Sequence, residues 1–198
     1  GYYKARETSL NNIPMVIART GWSGELSHEL YLQDRKKGDE LFEIVHEAAK
    51  EFNGAVIAPN TIRTIEGGLL SYQSDFGREH NPFTIGLDRL VDLDQDIDFI
   101  GKEALKKIKA EGISEKLVGV EIDGDPIQKV PENFWPVFDE NHKKIGRLSR
   151  CFFSPRLKKN IGLAIIDINF VEPGTSLVIE SPKAHLNAQV HELPWFPA

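Results

Sequence analysis

A carboxylate, a phenol and an indole occur close together in the stretch Arg19 to Tyr31, which reads R-T-G-W-S-G-E-L-S-H-E-L-Y. The stretch starts as a polar loop that contains Trp22 and continues as an alternation of apolar and polar residues. Successive side chains of a strand point to opposite faces, so Glu29 and Tyr31 share one face and Leu30 lies on the other. This pair, beside a tryptophan, suits a flat, polar heteroaromatic ligand. The alternative is a half-buried strand whose polar face meets only water, which is common in antiparallel sheets.

The sequence around this stretch predicts an α+β arrangement that would hold it in place. Two strands are expected at residues 5–10 and 15–19, joined by Asn11-Asn12, a pair that tolerates left-handed turns. An amphipathic helix over residues 39–52 follows, and Asn53-Gly54 ends it. Further elements are expected as helices at residues 60–69 and 99–110 and as a buried strand at residues 87–93.

Beyond Gly112 the sequence predicts strands only. Short alternating runs are separated by turn residues, at 116–122, 136–139, 144–153, 160–167, 176–180 and 188–193. Evenly spaced strands without helices indicate a small barrel or sandwich. We therefore expect an α+β domain over residues 1–112 and an all-β domain over residues 113–198.

The composition argues against nucleic-acid, membrane and metal-dependent functions. The chain has 198 residues and a formal charge of −6, whereas a nucleic-acid partner would require a basic face. It contains no apolar run long enough for a membrane helix. Cys151 is the only cysteine, so no internal disulfide forms and a reducing, cytoplasmic location is expected. The six histidines do not have the spacing of a metal motif, and no metal is expected.

Seven short motifs carry a resemblance to a known family. They are R-T-G-W-S-G-E…E-L-Y at 19–31, I-E-G-G-L-L-S-Y at 65–72, N-P-F with I-G-L at 81–87, D-F-I-G-K-E-A-L at 98–105, L-V-G-V at 117–120, S-P-R-L-K-K-N-I-G-L-A at 154–164 and P-G-T at 173–175. In this order the chain resembles the folate-dependent aminomethyltransferase family, which includes the T-protein of the glycine cleavage system. Each motif alone is weak, but seven in the family's order are specific.

The resemblance implies a tetrahydrofolate cofactor and roles for three residues. Glu29 matches the family's carboxylate that hydrogen-bonds the pterin ring, and Tyr31 and Trp22 would line the same pocket. The chain is similar to the second half of such an enzyme, which ends in a small β-barrel. The missing N-terminal half would then supply the pocket aspartate, so no catalytic residue is identified here. We expect the chain alone to be inactive. A homodimer of the whole protein stays open.

One departure bears on the substrate. Glycine-cleavage members carry an arginine in G-A-R-D where this chain has Asn60, and asparagine cannot supply that charge. With Trp22 in the loop, the pattern A-P-N-x-I-x-x-I-E-x-G-L-L-S-Y is most similar to the dimethylsulfoniopropionate demethylase branch. The resemblance then implies methyl transfer from the sulfonium to tetrahydrofolate, giving methylmercaptopropionate and 5-methyltetrahydrofolate. Trp22 and Asn60 would contact this small methyl donor.

The sulfonium is already an activated leaving group, so such an enzyme needs positioning rather than a nucleophile. An aromatic side chain near the cation would contribute roughly 0.5–2 kcal/mol. Two alternatives stay open. One is a glycine-cleavage-type aminomethyltransferase or another folate-dependent N-demethylating enzyme. The other is a folate-binding module without catalysis, although the K-G-C-x-G-Q signature of such relatives is absent.

Overall fold

The computed structural model describes residues 1–196, which divide into two compact units, one ending at Asn60 and one beginning at Thr61. The first unit contains a three-stranded antiparallel sheet in the order β1-β2-β3 and one long helix. Its elements are β1 (Ala5–Leu10), β2 (Ile13–Ala18), β3 (Glu29–Leu32), a 3-10 turn (Arg35–Lys37) and α1 (Gly38–Lys50).

The turn between β1 and β2 confirms the prediction from Asn11-Asn12. Both residues adopt left-handed backbone conformations, with φ of 47° and 61°. Two consecutive residues with positive φ let a two-residue hairpin follow the twist of its strands. β2 then pairs with β3, which places Met15 opposite Leu32 on the face that packs against Leu41 of α1.

The apolar face predicted for α1 is only partly buried. Leu41 and Ile44 pack on the sheet, whereas Phe42, Val45 and Phe52 are 49%, 40% and 83% exposed. A three-stranded sheet covers only a narrow strip of a helix, which explains why these side chains remain outside it. The helix also ends at Lys50 rather than at residue 52.

The second unit starts with α2 (Thr61–Glu66) and later contains α3 (Lys102–Glu111). The helix predicted over residues 60–69 ends at Glu66, and Gly68, with a φ of 63°, follows it. The helix predicted from residue 99 begins three residues later, because Gly101 takes a left-handed conformation with a φ of 94°. Ile100, which lies in the predicted helix range but before the observed helix, is fully exposed.

The strand predicted over residues 87–93 is wrong. The segment instead contains a short 3-10 helix, Asp88–Leu90, in which backbone amides donate to carbonyls three residues earlier. Buried backbone groups need partners, and this segment finds them locally rather than on a neighbouring strand. Leu93 is buried, but Leu90 is exposed. The apolar residues of this segment alone therefore did not distinguish a buried strand from a 3-10 helix.

Six antiparallel strands after α3 form a closed barrel in the order β4-β7-β6-β5-β8-β9. They are β4 (Glu115–Ile122), β5 (Trp135–Phe138), β6 (Lys144–Ser154), β7 (Lys159–Asp167), β8 (Ser176–Glu180) and β9 (His185–His191), with a 3-10 turn at Ile168–Phe170 after β7. An α+β region followed by a small all-β barrel confirms the predicted fold class.

The barrel is filled by apolar side chains and is not a channel. All six strands contribute to this core, which contains Val118, Val120, Ile122, Val137, Ile145, Leu148, Cys151, Ala164, Ile166, Leu177, Ile179, Ala188 and Val190. Cys151 is a packing residue of this core, and burial raises the pKa of its thiol to about 12.

Candidate functional site

The structure brings Glu29 and Tyr31 together on one face of the sheet of the first unit. Their neighbours across the strand pair are Ala18 and Val16, so this face is opposite the one that packs on α1. The Tyr31 hydroxyl donates a hydrogen bond of 3.1 Å to Glu29 Oε2, and the Thr20 hydroxyl donates to the same oxygen. Among the described residues, Glu29 Oε1 receives no hydrogen bond. The carboxylate is thus oriented by its neighbours and keeps one oxygen for a ligand.

The loop before β3 is closed by a close approach between its two ends. The Ser27 hydroxyl donates to the Thr20 carbonyl at 3.1 Å. A Cβ on Gly21 would lie 1.7 Å from Ser27 Oγ and 2.8 Å from its Cβ, so only glycine fits at this position. This loop occupies residues 21–28, and the strand that carries Glu29 and Tyr31 begins at Glu29.

Trp22 lies on this loop and is 54% exposed, the same fraction as Tyr31. Within residues 1–196, no hydrogen bond or ring contact joins Trp22 to Glu29 or Tyr31. Asn60 is also exposed and directly precedes α2. The assignment of Trp22, Tyr31 and Glu29 to folate and of Trp22 and Asn60 to the donor therefore stays a prediction.

A shallow cleft lies on the opposite face of the same sheet. It has a volume of about 240 Å³ and is lined by Lys4, Arg6, Ile17, Arg19 and His28, together with Gly1 and Ala5. The Arg19 guanidinium stacks over the Tyr2 ring at 4.9 Å. None of the predicted ligand-binding residues lines this cleft.

A buried ion pair in the second unit was not predicted from the sequence. Arg150 of β6 donates to both carboxylate oxygens of Asp75, at 2.8 Å from Nε and 2.6 Å from Nη2. Asp75 is completely buried, and it also accepts from the Ser149 hydroxyl at 2.8 Å and from the Ser71 amide at 2.7 Å. Ser71 and Asp75 are close together in the sequence, as are Ser149 and Arg150, but the two pairs are far apart. No local sequence pattern therefore indicates this network.

A second buried carboxylate connects α2 to the barrel. Glu66 is 3% exposed, and its Oε1 accepts from the Ser154 hydroxyl at 2.6 Å. Arg63 also donates to its Oε2, at 3.3 Å. The Glu66 carboxylate therefore links the last residue of α2 to β6.

Two further properties bear on the predicted partners. In the part of the chain that the structure describes, one group of side chains has metal-ligand geometry, Glu43, His46 and Glu47 on the exposed surface of α1. This follows from helical spacing and carries no metal assignment. No helix among the described residues is long and apolar enough to cross a membrane.

Comparison with known proteins identifies the domains. Residues 1–95 match the GCVT N-terminal domain, and residues 115–197 match the glycine cleavage T-protein C-terminal barrel domain. These are the two domains of the glycine cleavage T-protein family. The boundary that we predicted between residues 112 and 113 stays a prediction, since residues 96–114 lie between the two matches.

The relatives include enzymes with two different donors. An aminomethyltransferase from Geobacillus sp. (strain WCH70) is 36% identical over 96% of this chain and 51% of its own length. Dimethylsulfoniopropionate demethylase DmdA from Ruegeria pomeroyi is 26% identical over 98% of this chain and 52% of its own length. The chain thus spans about half the length of these curated relatives. The higher identity favours the aminomethyltransferase alternative over the demethylase branch that we preferred from Asn60.

A solved structure supports the same fold. The glycine cleavage system aminomethyltransferase T from Bartonella henselae superimposes with a TM-score of 0.84 at 19% identity. The match covers 98% of this chain and 52% of that chain. The fold of this family is therefore present, and the barrel read from alternating strands corresponds to its C-terminal barrel domain.

Proposed function

We propose that the protein containing this chain is a tetrahydrofolate-dependent one-carbon transferase of the aminomethyltransferase type, acting on a glycine-derived or N-methyl donor. The observation that carries the proposal is the Glu29 carboxylate, exposed on its face and oriented by the hydroxyls of Tyr31 and Thr20. The family match and the aminomethyltransferase relatives support it. The sole cysteine supports a cytoplasmic location.

The residues present fit the pterin ring of tetrahydrofolate. Its amino group and adjacent ring N–H form a donor edge, and the Glu29 carboxylate would accept from this edge through Oε1, since Oε2 already accepts from Tyr31 and Thr20. Glu29 would bind this edge, while Tyr31 and Trp22 would lie along the ring system. When bound, tetrahydrofolate supplies the nitrogen that accepts the one-carbon group. The group that acts on the donor is proposed to lie in the half of the protein outside this chain.

A second candidate is demethylation of a sulfonium such as dimethylsulfoniopropionate. It is favoured by Asn60, since an uncharged residue replaces the family's carboxylate-pairing arginine, and by the demethylase relative. Trp22 is exposed and supplies an aromatic face for a cationic donor. The lower identity of this relative places it second.

The test is turnover by the full-length protein with tetrahydrofolate and one donor at a time. An aminomethyl or N-methyl donor should be consumed only when tetrahydrofolate is present, and the one-carbon product should appear on folate. Consumption of dimethylsulfoniopropionate alone would transfer the assignment to the second candidate. Folate binding without turnover of either class would instead identify a binding module.

A further inference from the structure

The shallow cleft of the first unit has basic walls. Lys4, Arg6, Arg19 and His28 line it, and no carboxylate of residues 1–196 is among its lining residues. Within the same residues, none of these side chains forms an ion pair with an acidic side chain. The chain as a whole has a formal charge of −6, so such a concentration of basic groups is not typical of its surface. A concave site lined by one sign of charge attracts ligands of the opposite sign, here anions.

The strand register brings these side chains together on one face of the sheet. Lys4 lies opposite Arg19, whose amide donates to the Lys4 carbonyl at 2.8 Å. Extending the pairing of β2 with β3 by one residue brings His28 to the other side of Arg19. Arg6 is two residues from Lys4 and shares its face, because side chains of a strand alternate. Three neighbouring strands therefore present their basic groups at the same end of the sheet.

This arrangement opposes the stability of the sheet when no anion is bound. Like charges directly opposite each other on neighbouring strands are destabilising, and Lys4 and Arg19 stand in this relation. An anion held between the two side chains would replace their repulsion by two attractions. The pair thus has a physical reason to bind an anion that isolated surface lysines and arginines lack.

Arg19 is oriented for such a ligand. Its guanidinium stacks over the Tyr2 ring, with Cζ 4.9 Å from the ring centroid. Among the described residues, Arg19 Nε is buried and has no hydrogen-bond partner. A buried N–H group without an acceptor is costly, so we expect an acceptor from a bound molecule there. The planar guanidinium can donate two parallel bonds to a carboxylate or a phosphate group.

We propose that this cleft binds a small polyanion, a molecule with at least two linked carboxylate or phosphate groups, held by Lys4, Arg6 and Arg19. The basic groups are spread across the strands and along β1, so a single carboxylate would contact only some of them. The cleft volume of about 240 Å³ admits a molecule of this size, and Ile17 supplies an apolar contact. Glu29 lies on the opposite face of the sheet, so the inference does not rest on the proposed function.

The test is calorimetric titration of the full-length protein with citrate, pyrophosphate or acetate at the same ionic strength. Citrate offers linked carboxylates, pyrophosphate offers linked phosphates, and acetate offers one carboxylate. We expect citrate or pyrophosphate to bind, and acetate to bind about tenfold more weakly or less. The tighter of the two polyanions identifies the chemical source of the ligand. Binding of neither polyanion, or of acetate as tightly as the better one, would overturn the proposal.

Two variants assign the binding to the cleft. Arg19→Gln and Lys4→Gln should each weaken binding of the tighter polyanion about tenfold, the factor for a lost hydrogen bond between charged groups. Arg35→Gln is the matched control, because it removes the same charge from an exposed position beyond the other end of β3. It should bind as tightly as wild type. Unchanged binding in either folded cleft variant, or equal weakening in Arg35→Gln, would contradict the assignment.

Hydrogen exchange of the β1 and β2 amides separates lost binding from lost structure. Without the polyanion, Lys4→Gln should exchange no faster than wild type, since the change removes the repulsion from Arg19. The polyanion should slow exchange in wild type and in Arg35→Gln, and slow it less in Lys4→Gln. Equal slowing in all three proteins would place the anion elsewhere and overturn the proposal.

A last titration distinguishes this ligand from tetrahydrofolate. With tetrahydrofolate present in excess, the Kd of the polyanion should be the same as in its absence, because the two sites lie on opposite faces of the sheet. Competition between the two ligands would contradict a separate site. If the protein bound no tetrahydrofolate, the proposed function would fail, whereas the titrations with citrate and pyrophosphate would still decide the polyanion site.

Discussion

Replacing Arg150 with methionine should destabilise the second unit strongly. Removal of one partner from a buried ion pair typically costs about 3–5 kcal/mol, because the remaining charge stays buried without compensation. Methionine would fill the space of the arginine stem but would abolish the four hydrogen bonds to Asp75, Thr64 and Leu69. Asp75 would keep its two donors, Ser149 and Ser71, so we expect the lower end of the range, about 3 kcal/mol.

The assay is urea unfolding, followed by the fluorescence of the tryptophans of the second unit, Trp135 and Trp195. The control is Lys129→Met, which removes an exposed pair with Glu132 and should leave the midpoint unchanged. In a double-mutant cycle with Asp75→Asn, the two decreases in the free energy of unfolding should be far from additive. Once Asp75 is neutral, Arg150→Met no longer leaves a buried charge without a partner and should cost less. Additive losses, or a midpoint for Arg150→Met within the error of wild type, would refute the buried pair.

Three further predictions concern other parts of the chain. Gly21→Ala should weaken tetrahydrofolate binding by displacing the loop. Ser27→Gly in the same protein should restore affinity, because the two atoms nearest to the new Cβ are Oγ and Cβ of Ser27, which this change removes. Titration of each variant with tetrahydrofolate checks this. Asn160→Ala should lower the free energy of unfolding by about 1–3 kcal/mol, measured in urea, since its buried amide bonds the Ile127 amide and three carbonyls. Burial raises the pKa of the Cys151 thiol from 9.0 to about 12, so ionisation favours the unfolded state and stability should fall as pH rises between these values. Cys151→Ala should show a smaller fall over that window, and a fall equal to wild type would contradict the assignment.

The barrel could be predicted from the sequence because its strands obey a local rule. Alternating apolar residues fill its interior, and turn residues separate the strands, so each strand appears in a short window. The hairpin at Asn11-Asn12 was predictable for the same reason, since its conformation depends on two adjacent residues. The seven motifs added the family, which periodicity alone does not give.

The parts that escaped prediction depend on distant neighbours. Asp75 and Arg150 are 75 residues apart, and only a β-bulge in β6, at Ser149, directs the arginine towards its partner. The apolar residues of α1 predicted a wider buried face than its three-stranded sheet provides. The segment around Asp88–Leu90 looked like a strand but had no strand to pair with.

In the candidate site, too, some features follow from the local sequence and others do not. The shared face of Glu29 and Tyr31 follows from strand alternation, and the structure adds the hydrogen bond between them. The loop geometry that sets Thr20 against Glu29 required the close approach of Gly21 to Ser27, which no periodic pattern indicates. The pocket roles of Trp22 and Asn60 came from the family resemblance and stay predictions.

The most direct test of the central claim is tetrahydrofolate titration of the full-length protein carrying Glu29→Gln. Glutamine keeps the size of the side chain but turns one acceptor oxygen into a donor, which opposes the donor edge of the pterin. We expect affinity to fall by about 1–3 kcal/mol relative to wild type. Glu7 is an exposed carboxylate on the same sheet face, so Glu7→Gln is the control and should bind tetrahydrofolate as tightly as wild type. Equal affinity of Glu29→Gln and wild type would contradict the assignment of Glu29 as the pterin anchor.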